Sequence, residues 1–167
     1  VGKLEMIYIP AEGVEKGVAV INHPNPLHGG TFTNKVIQTA AKALSKLGFH
    51  CYLPNLRGVG NSEGKHDYGA GETEDCVAVI DFVRSRHPQA AQLVIAGFSF
   101  GGYVAMRLAQ TLTEQGAFLG LDDFELTNLA LIAPSIEKHA TTGLALPSDK
   151  TWMIYGAQDE VIAPRSL

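Results

Sequence analysis

This chain has no long apolar run, no basic cluster and only two cysteines. No stretch approaches the roughly 20 apolar residues of a membrane span, and no charged-then-apolar leader opens the sequence. Position 1 is valine rather than methionine, which leaves a processed leader open. No membrane partner is expected. Lys and Arg number 13 against 17 Asp and Glu, for a formal net charge of -4. Without a basic patch there is no electrostatic reason to expect nucleic acid or an anionic lipid surface as a partner. Cys51 and Cys76 fall within an expected strand and an expected helix, where buried thiols are commoner than bridges, and a reduced, cytoplasmic setting fits. Repeats and low-complexity linkers are missing as well. A chain of 167 residues with 46% hydrophobic content then reads as one domain, residues 1–167, long enough to bury a core.

What is present is an alternation of strand and helix patterns. Gly17 to Asn22 is an apolar run ending in a proline-rich loop and reads as a buried strand. Thr33 to Leu47 reads as a helix, with Val36, Ile37, Ala40, Ala41, Leu44 and Leu47 on one face and Gly48 closing it. A strand at Phe49 to Leu53 follows. The next helix, Glu72 to His87, has acids in its first turn and Arg84, Arg86 and His87 in its last, an order that suits the helix dipole. Leu93 to Phe98 is the next strand, and the helix after it runs to about Gln115 with Ala105, Leu108, Ala109 and Leu112 inward. Strands at Leu129 to Ala133 and Thr151 to Tyr155 complete the pattern. Such alternation specifies an α/β fold, a mostly parallel sheet with helices on both faces, whose sites form beyond the carboxyl ends of the strands.

Three candidate features lie at those ends. The run Ala96-Gly97-Phe98-Ser99-Phe100-Gly101-Gly102 places one serine between two glycines, after a strand and before a helix. A serine that attacks a carbonyl must stand out of a sharp strand-to-helix turn, and Gly97 and Gly101 relieve the crowding there. The helix start also aims amides at the charge developing on the carbonyl oxygen. The plainer reading is a glycine-rich loop holding an ordinary serine. The second feature is the loop His23 to Thr31, in which Pro24 and Pro26 lack an N–H, so Asn25 is the one backbone donor of the three. Paired with the amide of Phe100 it forms an oxyanion hole; otherwise the prolines stiffen a turn. The third is Asp159, just past the last strand, where a carboxylate orients a histidine and stabilises its imidazolium form. A solvated loop acid is the alternative, and the adjacent Glu160 competes for the role.

Taken together, His23-Pro24-Asn25-Pro26-Leu27, Gly29-Gly30-Thr31, Asn34-Lys35-Val36, Arg57-Gly58-Val59-Gly60-Asn61-Ser62-Glu63-Gly64, Gly69-Ala70-Gly71-Glu72 and the serine elbow resemble the α/β-hydrolase superfamily. The likeness is to its small bacterial, dienelactone-hydrolase-like esterases, and it covers nearly the whole chain. This resemblance implies the α/β-hydrolase fold, no cofactor, Ser99 as nucleophile, Asp159 as triad acid, and the backbone amides of Asn25 and Phe100 as oxyanion donors. Asn25 stands where relatives often carry the second histidine of an H-P-H-P loop; a backbone donor survives that change. In the family order the histidine follows the acid, after a further strand, whereas this sequence stops at Leu167. The domain is therefore expected to be C-terminally incomplete, lacking its last strand and histidine loop. Among the six histidines, His23 and His28 belong to the oxyanion loop, His50 opens a strand, His66 lies in the glycine-rich loop and His87 ends a helix. His139, in the connection from Pro134 to Lys150, is the internal substitute. That connection is too short for a cap domain, so an open site lined by Leu144, Leu146 and Pro147 is expected.

Other motifs weigh less. Gly58 to Gly64 is one residue too long for a dinucleotide fingerprint and no helix begins at its end, so Arg57 is expected to pair with a neighbouring carboxylate or carbonyl. His23 and His28 lie on a loop without a second ligand pair, so no metal site is expected. The expected function is a serine hydrolase that cleaves a small ester, thioester or related acyl substrate through an acyl-enzyme on Ser99. The rival is a noncatalytic binding or scaffold protein that keeps the fold without the histidine. Residues 151–155, apolar and without charge or proline, are expected to form a sheet edge that either receives the missing strand or pairs with a second copy.

Overall fold

The computed structural model describes residues 2–136 and 141–156. Six strands build one sheet: β1 (Met6–Ile9), β2 (Gly17–Asn22), β3 (Phe49–Pro54), β4 (Gln92–Phe98), β5 (Glu125–Ile132) and β6 (Thr151–Ile154). Their spatial order is β1-β3-β2-β4-β5-β6. All neighbours run parallel except β1, which is antiparallel to β3 with Met6 opposite Pro54 and Ile9 opposite Cys51. From β2 the chain winds first to β3 on one side and then to β4 on the other. That reversal opens a crevice beyond the carboxyl ends of β2 and β4.

Helices cover both faces, as the alternating pattern requires. Side chains of β2 point alternately up and down: Ala19 and Ile21 meet Ile37 and Ala41 of α1 (Lys35–Lys46), whereas Val18 and Val20 join the core under α2 (Ala70–Arg86) and α3 (Phe100–Leu119). Ile95 and Leu129 are wholly buried in that second core; truncating either to alanine is expected to cost about 2–5 kcal/mol. Cys51 and Cys76 are buried and unbridged. Burial pushes the Cys51 thiol up to about 12 and raises that of Cys76 as well, so neither is a nucleophile at neutral pH. No helix among the described residues is long and apolar enough to cross a membrane.

Several sequence expectations shift. α1 starts two residues late because Asn34 caps it, its Oδ1 accepting the N–H of Val36. Leu47 is the C-cap and is 56% exposed rather than on the inner face. Its expected place is taken by Ser45, whose hydroxyl donates to the Pro10 carbonyl at 2.7 Å. α3 continues past Gln115 to Leu119, where Gly120 ends it in a left-handed conformation. β5 begins four residues before Leu129. Thr151–Ile154 is the outermost described strand on its side, with Trp152 63% and Ile154 53% exposed. β1 has no signature in the sequence, because a four-residue, half-buried edge strand is too short for a period to show.

Candidate active site

The register that sets Asn22 opposite Gly97 brings the loops after β2 and β4 side by side. Contact there is so close that a Cβ on Gly97 would collide with the Gly101 carbonyl, and one on Gly101 with the carbonyls of Asn22 and His23. Between them Ser99 sits at φ 53°, ψ −116°. A left-handed backbone in a non-glycine residue costs roughly 1–3 kcal/mol and persists only where the surroundings enforce it. Here the enforcing contacts are explicit. Ser99 donates its N–H to the Ile132 carbonyl at 2.9 Å, and its own carbonyl accepts from Gly102 at 3.0 Å and Ser135 at 3.1 Å. The half-buried side chain is left with its Oγ engaged by no described residue.

The loop after β2 is equally constrained. A 3-10 turn over Pro26–His28 is capped by Asn25, whose side-chain oxygen accepts from the Leu27 N–H at 2.9 Å. The Asn25 carbonyl accepts from His28 and Gly30, both at 3.0 Å. Its own N–H donates to no described residue. His23 is fully buried. The Leu56 N–H donates to its Nε2 at 3.0 Å, so the ring proton is on Nδ1, which lies 2.7 Å from the Pro24 carbonyl. Burial holds His23 below its ordinary value of 6.5, with the Pro24 hydrogen bond opposing. It is a neutral clasp between the loops after β2 and β3, with both nitrogens occupied.

Arg57 does pair with a carboxylate. Its Nε and Nη2 reach Asp75 at 2.6 and 2.7 Å, a bidentate clamp that raises the guanidinium above its ordinary range. One turn earlier on α2, Glu72 is wholly buried; it accepts the N–H groups of Asp67 and Gly69, each at 2.8 Å, and lies 3.1 Å from His66 Nδ1. The Glu5 carboxylate anchors the far side of the same loop through Asn55 and Asn61, and the Asn61 amide, chiefly, holds it below its ordinary 4.5. These contacts fix the segment from Arg57 to Gly69 so that the His66 ring rests on Phe100, centroids 5.1 Å apart. In the sequence His66 is only a histidine of the glycine-rich loop. Nothing in the spacing of His66 and Glu72 shows that a helix cap folds one back onto the other.

Asp159, Glu160 and His139 lie outside the described residues. Leu144 and Leu146 do not line the Ser99 crevice as expected; they pack on the core beneath α2 and α3. Pro147 sits with Leu121, Phe124 and Lys150 around a hollow at the amino end of β5 and β6. These apolar residues serve the helix layer because residues 142–150 run along α3, where Gln110 donates to the Gly143 carbonyl, to reach the start of β6. Among the described residues no group of three or more His, Cys, Asp or Glu could hold a metal ion.

With the strained serine, its loop and the winding reversal in place, the comparisons agree with the geometry. Residues 20–152 match the family model described as the alpha/beta hydrolase fold, and the chain belongs to that family. A solved α/β serine hydrolase homologue from Coxiella burnetii is 36% identical with a TM-score of 0.84, covering 98% of this chain and 73% of that one. A lidless α/β serine hydrolase from Xanthomonas campestris is 33% identical, also at 0.84, over 98% of this chain and 70% of its own. An uncharacterized protein of Rickettsia prowazekii is 38% identical over 120 residues, 72% of this chain and 50% of that protein. The chain spans about half the length of the curated relatives it matches.

Proposed function

We propose that the protein is a serine hydrolase that cleaves a small ester, thioester or related acyl substrate through an acyl-enzyme on Ser99. The observation that carries this reading is the Ser99 backbone, held at φ 53° between two glycines that only a hydrogen side chain satisfies. In this reading Ser99 Oγ attacks the carbonyl while a histidine takes its proton. The oxygen that becomes negative is received by the N–H groups of Asn25 and Phe100, on the two loops that the β2–β4 register sets side by side. Return of the proton releases the alcohol or thiol, and water attacks the acyl-enzyme by the same route. Asp159 orients the histidine, which in the family order follows it, and no cofactor takes part. The protein at its natural length should turn over short- to medium-chain p-nitrophenyl esters, and Ser99→Ala should abolish that turnover. Turnover that survives Ser99→Ala would overturn the reading.

A further inference from the structure

The amino end of the sheet, opposite to Ser99, holds a buried donor that lacks an acceptor. His50, the second residue of β3, is 7% exposed. The Ala11 N–H donates to its Nδ1 at 3.2 Å, so the ring proton is on Nε2. That N–H is buried and makes no hydrogen bond. A Glu15 oxygen lies 3.3 Å away without hydrogen-bond geometry, on a side chain that is 71% exposed. What the site is missing is therefore an acceptor oxygen.

His50 lines a cavity of about 280 Å³ together with Glu15, Lys16, Arg86 and His87. Lys16 and Arg86 form no ion pair with a described residue, and Glu15 is the one carboxylate in the lining. Glu15 and the roughly half charge at the carboxyl end of α2 do not cancel two full cations. The cavity is thus positive on a chain of net charge -4. Arg86 also borders a second hollow of about 210 Å³, formed with Met6, Tyr8, Tyr52 and Phe82. Tyr8 joins the two: its ring lies 5.9 Å from that of His50 and 4.9 Å from that of Tyr52. Tyr8 and Phe82 are 45% and 44% exposed, so ring surface is available there.

We infer that this end of the sheet binds a small aromatic anion. Its carboxylate or phosphate takes the place of Glu15 at His50 Nε2 and is flanked by Lys16 and Arg86, while its ring lies along Tyr8 and Phe82. Displacing Glu15 costs little, because an ion pair made by so exposed a carboxylate is weak. No reaction is involved, and the inference does not rest on the role of Ser99.

Calorimetric titration of the protein at its natural length with phenyl phosphate, benzoate, inorganic phosphate and benzyl alcohol tests the site. At least one of the two aromatic anions should bind at a single site, about tenfold or more tightly than benzyl alcohol, which has the ring without the charge. Arg86 is exposed, so Arg86→Ala should fold and should weaken that anion about tenfold. Glu15→Gln removes the competing charge and should tighten it several-fold. Phe82→Ala should weaken the aromatic anion but not inorganic phosphate. Ser99→Ala should leave every Kd unchanged. Absence of binding, binding indifferent to both Arg86→Ala and Glu15→Gln, or binding lost in Ser99→Ala would overturn the site. Inorganic phosphate binding as tightly as phenyl phosphate would overturn the part given to the ring.

Discussion

The two ends of the sheet carry similar side chains and use them in opposite ways. At the amino end, His50 and His87 stack with centroids 4.2 Å apart. His50 Nδ1 accepts from the Ala11 N–H at 3.2 Å and from the Tyr8 hydroxyl at 2.8 Å, and Glu15 lies 3.3 Å from its Nε2. Tyr52 and His87 share a hydrogen bond of 2.7 Å. A cavity of about 280 Å³ opens beside them, lined in part by Lys16, Arg86 and His87. This end is rich in titratable groups, and most of their polar atoms are engaged with one another, although His50 Nε2 is buried without a hydrogen bond. At the carboxyl end Ser99 Oγ, the Asn25 N–H and His66 Nε2 meet no described partner, while the backbone that carries them is pinned on every side. An enforced backbone, with Ser99 held at φ 53°, distinguishes the carboxyl end; a density of histidines and tyrosines does not.

The sharpest way to break this comparison is to remove the acid proposed to serve Ser99. In the protein at its natural length, Asp159→Asn should lower kcat by about 10⁴, as when a triad histidine loses its orienting carboxylate. Glu160→Gln should be mild, and His50→Phe, at the other end of the sheet, should leave ester turnover within about twofold while costing about 1 kcal/mol for its lost hydrogen bonds. A kcat collapse in His50→Phe would show that the two ends are not functionally separate, and the reverse ranking of Asp159 and Glu160 would reassign the acid.

The Arg57 clamp gives a smaller but still large effect on stability. Arg57→Ala strands Asp75, whose side chain is 7% exposed, and should cost about 3–5 kcal/mol in urea denaturation. Less than about 1 kcal/mol would mean that Glu72 and Glu5 hold the loop bearing His66 without the clamp.

The weakest expected effect concerns pH. Burial depresses both His23 and His87 below 6.5, with His50 adding to the shift at His87. Above pH 6.5 both states are neutral there and stability is complete. Below it the unfolded chain binds protons that the folded one refuses, so stability falls with falling pH, by at most about 1.4 kcal/mol per pH unit per histidine. His23→Gln should flatten this dependence more than His87→Gln, because the His87 ring is the better solvated and its shift is more screened. Equal slopes in wild type and His23→Gln would remove the neutral clasp.

Much of this architecture is legible in the sequence. Long periodic segments and the glycine spacing around Ser99 report local constraints, and both the strand-to-helix elbow and the Arg57 carboxylate pairing emerged where expected. β1 escaped because it is defined by its partner β3 rather than by a pattern of its own. Leu47 was misplaced because a helix that ends at Lys46 no longer turns the next residue inward. The His66–Glu72 pair was invisible because both residues look like surface polar groups until a capping loop buries one beneath the other. Leu144 and Leu146 pack on the core instead of lining the crevice, since the sequence of a connection says little about its path.

The central claim, that Ser99 is the reactive atom of this fold, is tested most directly by peptide-mapped labelling of the protein at its natural length with a fluorophosphonate. One adduct is expected, on the peptide containing Ser99, with none in Ser99→Ala. An adduct on a different residue, or labelling undiminished in Ser99→Ala, would contradict it.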